Sequence, residues 1–244
     1  MSDVPLRITP DMLLSRRVDF ERRMRRLPPV TIALIAVLTV IFSIEAAFDV
    51  PESRDAIVAA GALEWASVAA GQYWRLVSAT FLHGSFEHLV SNAVALLILG
   101  MVGEHAFGHA QFALLYVGSG VAGSVLSLLT SAGPSVGASG AIFGLQGGAI
   151  VLFRRHRDRL LLRDRRIGFV LLIWALLSIA GGILSPYIDN GAHVGGAIGG
   201  VLIARRLHPV VLEPMSDERA RHVRRWLWVV GLVLLYTLVG WVTH

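Results

Sequence analysis

The sequence predicts an all-α polytopic membrane protein of seven spans, with the N-terminus in and the C-terminus out. Three observations carry that expectation: long apolar blocks, a shortage of charge, and the sorting of arginine into particular loops. Of 244 residues, 55% are hydrophobic and 16% charged, and mean hydropathy is +0.64. A soluble domain carries about a quarter of its residues charged. The apolar residues come in blocks rather than helical stripes, so lipid is the expected solvent.

Taken in order, the apolar runs lie near 28–48, 86–103, 110–130, 137–153, 167–184, 191–205 and 226–243. The run at 28–48 starts late, is long enough to span, and lacks a small-x-small cleavage pattern, so it reads as a span rather than a signal peptide. The fourth and sixth runs are short and glycine-rich, which suits helices that begin below the surface beside a cavity. The chain thus divides into a cytoplasmic tail (1–26), a six-span core (27–206) with a long first outer loop (49–85), a basic cytoplasmic linker (207–225) and a seventh span (226–244). The first loop carries Trp65, Tyr73 and Trp74, as interfacial segments do.

Orientation follows from arginine, because cytoplasmic loops are enriched in basic residues. Seven arginines lie between Arg7 and Arg26, seven between Arg154 and Arg166, and six between Arg205 and Arg225; only Arg54 and Arg75 fall on the other side. This placement also explains a pI near 10.6 without a nucleic-acid partner. There are no cysteines and no lysines. That removes disulfides, thiolate catalysis, Ser–Lys dyads and Schiff-base chemistry.

Polar groups inside apolar spans are costly and mark function. Three clusters stand out: His83-Gly-Ser-Phe-Glu-His88 with Asn92, Gly137-Ala-Ser139-Gly140 with Phe143, and Asn190-Gly-Ala-His193 with Gly196 and Gly200. All three sit at the outer ends of spans running from outside to inside, hence at one depth. His88 and Asn92 are four apart and share a helix face. Gly140, Gly144 and Gly148 form one small-residue ridge; Gly195 and Gly199, with Gly196 and Gly200, form others. Pairing through such ridges brings helices close and would carry His193 to Ser139. A serine hydroxyl needs an adjacent base, and imidazole is suited to the task. Ser139 follows a Gly/Pro/Ser-rich loop at a helix start, where free N–H groups favour an oxyanion; His88 and Asn92 can add donors. Asp189 lies on the preceding loop rather than on the sixth span, so a Ser–His dyad is expected rather than a triad.

Together these residues resemble the rhomboid family of intramembrane serine proteases. The resemblance rests on Trp74-Arg75, His88-x-x-x-Asn92, Gly137-Ala-Ser139-Gly140 and Asn190-Gly-Ala-His193 with Gly196-x-x-x-Gly200, over roughly 74–204. It implies a rhomboid-like six-helix core plus one C-terminal span. It makes Ser139 the nucleophile, His193 the base, and His88 and Asn92 oxyanion donors beside the Ser139 N–H. Trp74 and Arg75 become structural in the first loop, and Glu104, in Gly103-Glu-x-x-x-Gly108, resembles a structural glutamate. Phe143 stands where the family often has a tyrosine whose ring packs on the catalytic histidine, keeping the ring and losing the hydroxyl. The substrates implied are transmembrane proteins within the lipid bilayer, cut without a cofactor.

Rival readings are weaker. Glu104, His105 and His109 are spaced like metal ligands, but there is no HExxH and they lie at the opposite end of the second span from His83 and His88. His83 reads as structural. A rhomboid-like protein that binds transmembrane helices without cutting them is the alternative, opposed by the Ser139/His193 pair. Arginine-only basic content fits a prokaryotic inner membrane.

Overall fold

The computed structural model describes residues 19, 20, 24, 26–131, 133–160, 166–183, 185 and 188–243. Each apolar run coincides with a helix. In chain order these are α1 (Pro29–Ala47), three short helices in the first loop, α2 (Arg54–Ala59), α3 (Trp65–Ala69) and α4 (Arg75–Ser78), then α5 (Phe86–Thr130), α6 (Ser139–Arg155), α7 (Ile167–Ile183), α8 (Asn190–Ala204) and α9 (Asp217–Thr243). An isolated antiparallel bridge pairs Leu63 with Ser135. The helices α1, α5 and α9 are each long and apolar enough to cross a membrane, and α7 is a shorter apolar helix. The chain is an all-helical, polytopic integral membrane protein.

The 45 residues of α5 would exceed a ~30 Å hydrocarbon layer about twofold at 1.5 Å per residue. The element is in fact broken at Gly108, whose φ of 76° and ψ of 161° are not helical. Only glycine adopts that conformation without strain. The break falls between the apolar runs at 86–103 and 110–130, so one continuous element supplies two of them.

The centre of the protein is α6, buried at every residue from Gly140 to Ala149. It packs against α8 with no room for side chains: a Cβ on Gly196 would overlap the Gly140 carbonyl, and one on Gly200 the Gly144 carbonyl. A Cβ on Gly147 would stand 2.6 Å from the Ala197 carbonyl. The second ridge of α8 faces elsewhere. Gly195 and Gly199 meet Ala122 in the second half of α5, at 2.7 and 2.5 Å for the added carbon. Close backbone approach substitutes for the hydrophobic drive that lipid does not supply.

Glu104 explains how α1 starts. Pro28 precedes the helix and offers no side-chain cap. The Glu104 carboxylate accepts from Val30 N (3.0 Å), Thr31 N (2.8 Å) and Thr31 Oγ1 (2.7 Å), capping α1 from α5. These donors and His109 Nδ1, at 2.6 Å, meet the need of a buried carboxylate for partners. Thr31 fits there because Gly100 faces it; a Cβ at 100 would lie 2.5 Å from Thr31 Cγ2.

The basic stretch read as a linker to 225 is helical from Asp217, with Asp217 and Glu218 in the first turn of α9, where the helix dipole favours carboxylates. The tail read over 1–26 lies mostly outside the described residues. Its Phe20, however, is fully buried and meets Phe153 edge-on, with ring centroids 5.3 Å apart.

Candidate active site

The site is assembled from loops before it is assembled from side chains. The loop preceding α6 is pinned to the first outer loop by Leu63 N to Ser135 O (3.0 Å) and Ser135 N to Leu63 O (2.9 Å). Gly137 N then donates to Ala79 O at 2.9 Å. These bonds fix where α6 begins. Ser139 is its first residue, half-buried, and Ala138 before it provides no side-chain cap. First-turn N–H groups without a side-chain cap are acceptors' sites, reinforced by the helix dipole.

Gly137 is needed twice over. Its φ is +124°, and a Cβ there would lie 2.6 Å from His88 Cε1, 2.7 Å from His88 Nε2 and 3.4 Å from Asn92 Nδ2. The His88 imidazole and Asn92 amide therefore lie directly against the backbone that leads into Ser139. Both come from the start of α5, where Ser85 caps the helix by accepting from His88 N at 3.2 Å. Asn92 is buried and its Nδ2 is 3.1 Å from His83 Nε2. An amide N–H₂ only donates, so that ring nitrogen accepts and the His83 proton sits on Nδ1. His83 is itself fully buried, edge-on to His88 at 5.2 Å, and its backbone N–H donates to Glu45 Oε2 of α1 at 3.3 Å. The residue the sequence set aside as structural stands directly behind Asn92.

His193 lies in the first turn of α8. Its ring stacks on Phe143 of α6 with centroids 4.2 Å apart and planes 14° off parallel. The Asp189 carboxylate does something else. It caps α8 by accepting from Ala192 N (2.9 Å) and holds the end of α5 through Ser131 Oγ (2.8 Å) and Ser127 Oγ. Burial pushes the Asp189 carboxyl up, but bonds from Ser127, Ser135, Ala192 N and Ser131 outweigh it and hold it below its usual 3.8. His193 Nδ1 has no protein hydrogen-bond partner among the described residues. An aromatic face, rather than a carboxylate, orients the imidazole.

A cavity of about 860 Å³ joins these groups; Ser139, His193, His88, Asn92 and Phe143 all line it. Its far wall is α7, through Trp174 and Ser178, and Ile188 stands at the rim. Gln146 was not singled out from the sequence. It lines the cavity while donating to Leu171 O of α7 at 2.9 Å. Only its place one turn below Phe143 on α6 could have drawn attention to it.

The other predicted residues fall outside the cavity. Gly140, Gly196 and Gly200 form the α6–α8 seam. Arg75 is knotted into the first loop, donating to Gln72 Oε1 (2.6 Å), Val58 O (2.5 Å) and Ala62 O (2.9 Å), with its guanidinium 4.7 Å above the Trp74 ring. Trp74 is buried between Gly61 and Gly240. Glu104 caps α1. His105 Nδ1 turns to Met101 O at 2.8 Å while His109 turns to Glu104, so the two histidines point to different partners.

In this helical membrane protein a serine at an uncapped helix start, a stacked imidazole on the neighbouring helix and amide and imidazole groups on a third thus line one cavity. The Rhomboid domain family model matches residues 70–210, more than half the chain. The chain belongs to the rhomboid family. It is 36% identical over 155 residues to the rhomboid protease GluP of Bacillus subtilis, 64% of this chain and 30% of that protein. It is 41% identical over 178 residues to RHOMBOID-like protein 5 of Arabidopsis thaliana, 66% of this chain and 57% of the relative. With the rhomboid relative YdcA of Bacillus subtilis it shares 34% identity over 193 residues, 78% of this chain and 93% of the other. The chain thus spans less than two thirds of the first two.

Proposed function

We propose that the protein is an intramembrane serine endopeptidase that hydrolyses peptide bonds in or near transmembrane helices through a Ser139–His193 dyad. The observation that carries the reading is the convergence, on one cavity, of Ser139 from α6, His193 from α8 and His88 and Asn92 from α5. His193 takes the Ser139 Oγ proton as the oxygen attacks the scissile carbonyl carbon. The carbonyl oxygen gains negative charge and meets the Ser139 N–H, the Asn92 amide and the His88 ring. The C–N bond breaks as His193 returns the proton to the leaving amine, leaving an acyl-enzyme on Ser139. Water, deprotonated by His193, then releases the acid. No cofactor enters the scheme.

Helical substrate backbone is already hydrogen-bonded, so the scissile stretch has to unwind; helix-destabilising residues near the cavity mouth favour cleavage. Substrates enter beside α7, at Trp174, next to which Ile188 and Asp189 line the cavity. The layout is six core spans (27–206) plus a seventh (226–244), N-terminus in and C-terminus out, in a prokaryotic inner membrane. Supporting that orientation, Arg155, Arg205, Arg206 and Arg219 line one pocket, at the ends of α6 and α8 remote from Ser139 and His193.

The test is mass-spectrometric mapping of products from a panel of single-span membrane proteins. Ser139→Ala and His193→Ala are each expected to abolish cleavage. Asn92→Ala should lower kcat by about 10²–10³, as loss of one oxyanion donor does. Identical, uncut profiles for wild type and Ser139→Ala would point instead to a protein that binds transmembrane helices without cutting them.

A further inference from the structure

At the end of the helices remote from Ser139, two cavities meet. One is a polar pocket of about 230 Å³, to which α6 contributes Arg155 and the turn just after α8 contributes Arg205 and Arg206. The other is a predominantly apolar groove of about 930 Å³ between α9, the second half of α5 and α8. They share Arg205, Arg206, Leu207, His208 and Arg219 as common walls.

The groove exists because α9 is tied to the core at its ends and not along its middle. At one end Trp241 Nε1 donates to Ala60 O at 2.6 Å and Gly240 packs on Trp74. At the other, Arg219 Nη1 donates to His208 Nδ1 at 2.9 Å. Between these ties the buried residues of α9 are Thr237 and Gly240 alone, and Trp226 and Val229 are exposed. Val117, Val121 and Leu202 form the opposite wall.

Charge decides what fits. Among the described residues the pocket's one carboxylate is Glu213, which pairs with Arg159 at 3.2 Å. Arg155 and Arg219 donate to neutral acceptors, the Arg205 carbonyl (3.1 Å) and the His208 ring. Four arginines therefore line a space of about 230 Å³ in which the carboxylate among the described residues is already paired. The local field agrees: burial, and then the charges of Arg155 and Arg159, hold His156 below its usual range. A basic pocket continuous with an apolar trough between transmembrane helices matches a lipid with an anionic head and an acyl tail; arginine forks suit phosphate oxygens.

We propose that this joint cavity is a binding site for one anionic phospholipid, its phosphate among Arg155, Arg205, Arg206 and Arg219 and an acyl chain along α9. The proposal is independent of catalysis at Ser139.

The experiment is native mass spectrometry of the full chain released from neutral detergent, titrated with dioleoyl phosphatidylglycerol or dioleoyl phosphatidylcholine, with and without inorganic phosphate. The expected result is a single retained phosphatidylglycerol, held about tenfold more tightly than phosphatidylcholine. Arg206→Gln with Arg219→Gln should abolish the preference, and Val230→Trp, which fills the groove while leaving the arginines, should lower retention of the lipid. Arg206→Lys with Arg219→Lys keeps the charge and should keep much of the preference, separating lost binding from lost folding. Equal retention of both lipids, or unchanged preference in the glutamine variant, overturns the proposal. Displacement of phosphatidylglycerol by millimolar phosphate overturns it too, making the pocket a free-anion site.

Discussion

The α6–α8 seam and the α9 seam are both contacts between apolar helices, yet they are built in opposite ways. Along α6–α8, glycine faces backbone, and an added carbon at Gly196 or Gly200 has nowhere to go. Along α9, contact is made at the ends and a groove of about 930 Å³ is left between. Side chains that would be interchangeable in lipid are therefore not so between α6 and α8, because the position of His193 relative to Ser139 depends on that spacing. The α9 seam positions no group of the proposed chemistry and tolerates a gap.

The sharpest way to break this comparison is Gly196→Ala. Its Cβ meets backbone, which cannot swing aside, so loss of several kcal/mol is expected, above the ~1–3 kcal/mol usual for overpacking. Thermal unfolding in detergent should show the largest drop of this series, and cleavage should vanish. If Gly196→Ala unfolds like wild type, the seam is looser than described.

Asp189→Asn should come next. Asp189 ties the end of α5 to α8, and its carboxyl is held below the usual range. A depressed folded pKa gives stability that is present above the unfolded value, about 3.9, and lost as pH falls through the folded one. The asparagine variant should lose roughly 1–3 kcal/mol at neutral pH. Its unfolding midpoint should then depend less on pH below about 4 than that of wild type. Parallel pH curves would remove Asp189 from that role.

Smaller effects belong to α9. Trp241→Phe deletes the bond to Ala60 while keeping most of the ring, at a cost of about 0.5–1.5 kcal/mol. Hydrogen exchange should rise first in the Ala60–Gly61 turn. Gly231→Ala should be the mildest: no atom lies within 4 Å of its added carbon, and helix propensity favours alanine by about 1 kcal/mol. A slight rise in melting temperature is expected, the opposite sign to Gly196→Ala.

These contrasts mark what could be read from the sequence. Hydropathy located the helices because a bilayer demands long apolar runs, and glycine spacing anticipated the α6–α8 seam. It did not tell that the two ridges of α8 face different helices, since Gly195 and Gly196 are neighbours and direction depends on the partner. The grouping of Ser139, His193, His88 and Asn92 was legible from their common depth. The stack of Phe143 on His193 came from the family resemblance. Pairings between irregular segments left no periodic signal. The Leu63–Ser135 bridge, the Gly137–Ala79 bond, the Trp241–Ala60 tie and the Glu104 cap on α1 all join residues distant in sequence at isolated points. Asp189 had the local signature of a helix cap, but its serine partners, Ser127 on α5 and Ser131 just after it, had none.

The Leu63–Ser135 bridge also has a meaning for biogenesis. The ribosome delivers the first loop well before α6, so the template that sets the start of α6 is in place when Ser139 emerges. Trp241 arrives much later and clasps the Ala60 turn three residues from Leu63. A chain released short of Trp241 would hold every group of the proposed chemistry, yet lack the clasp on the loop that registers Ser139.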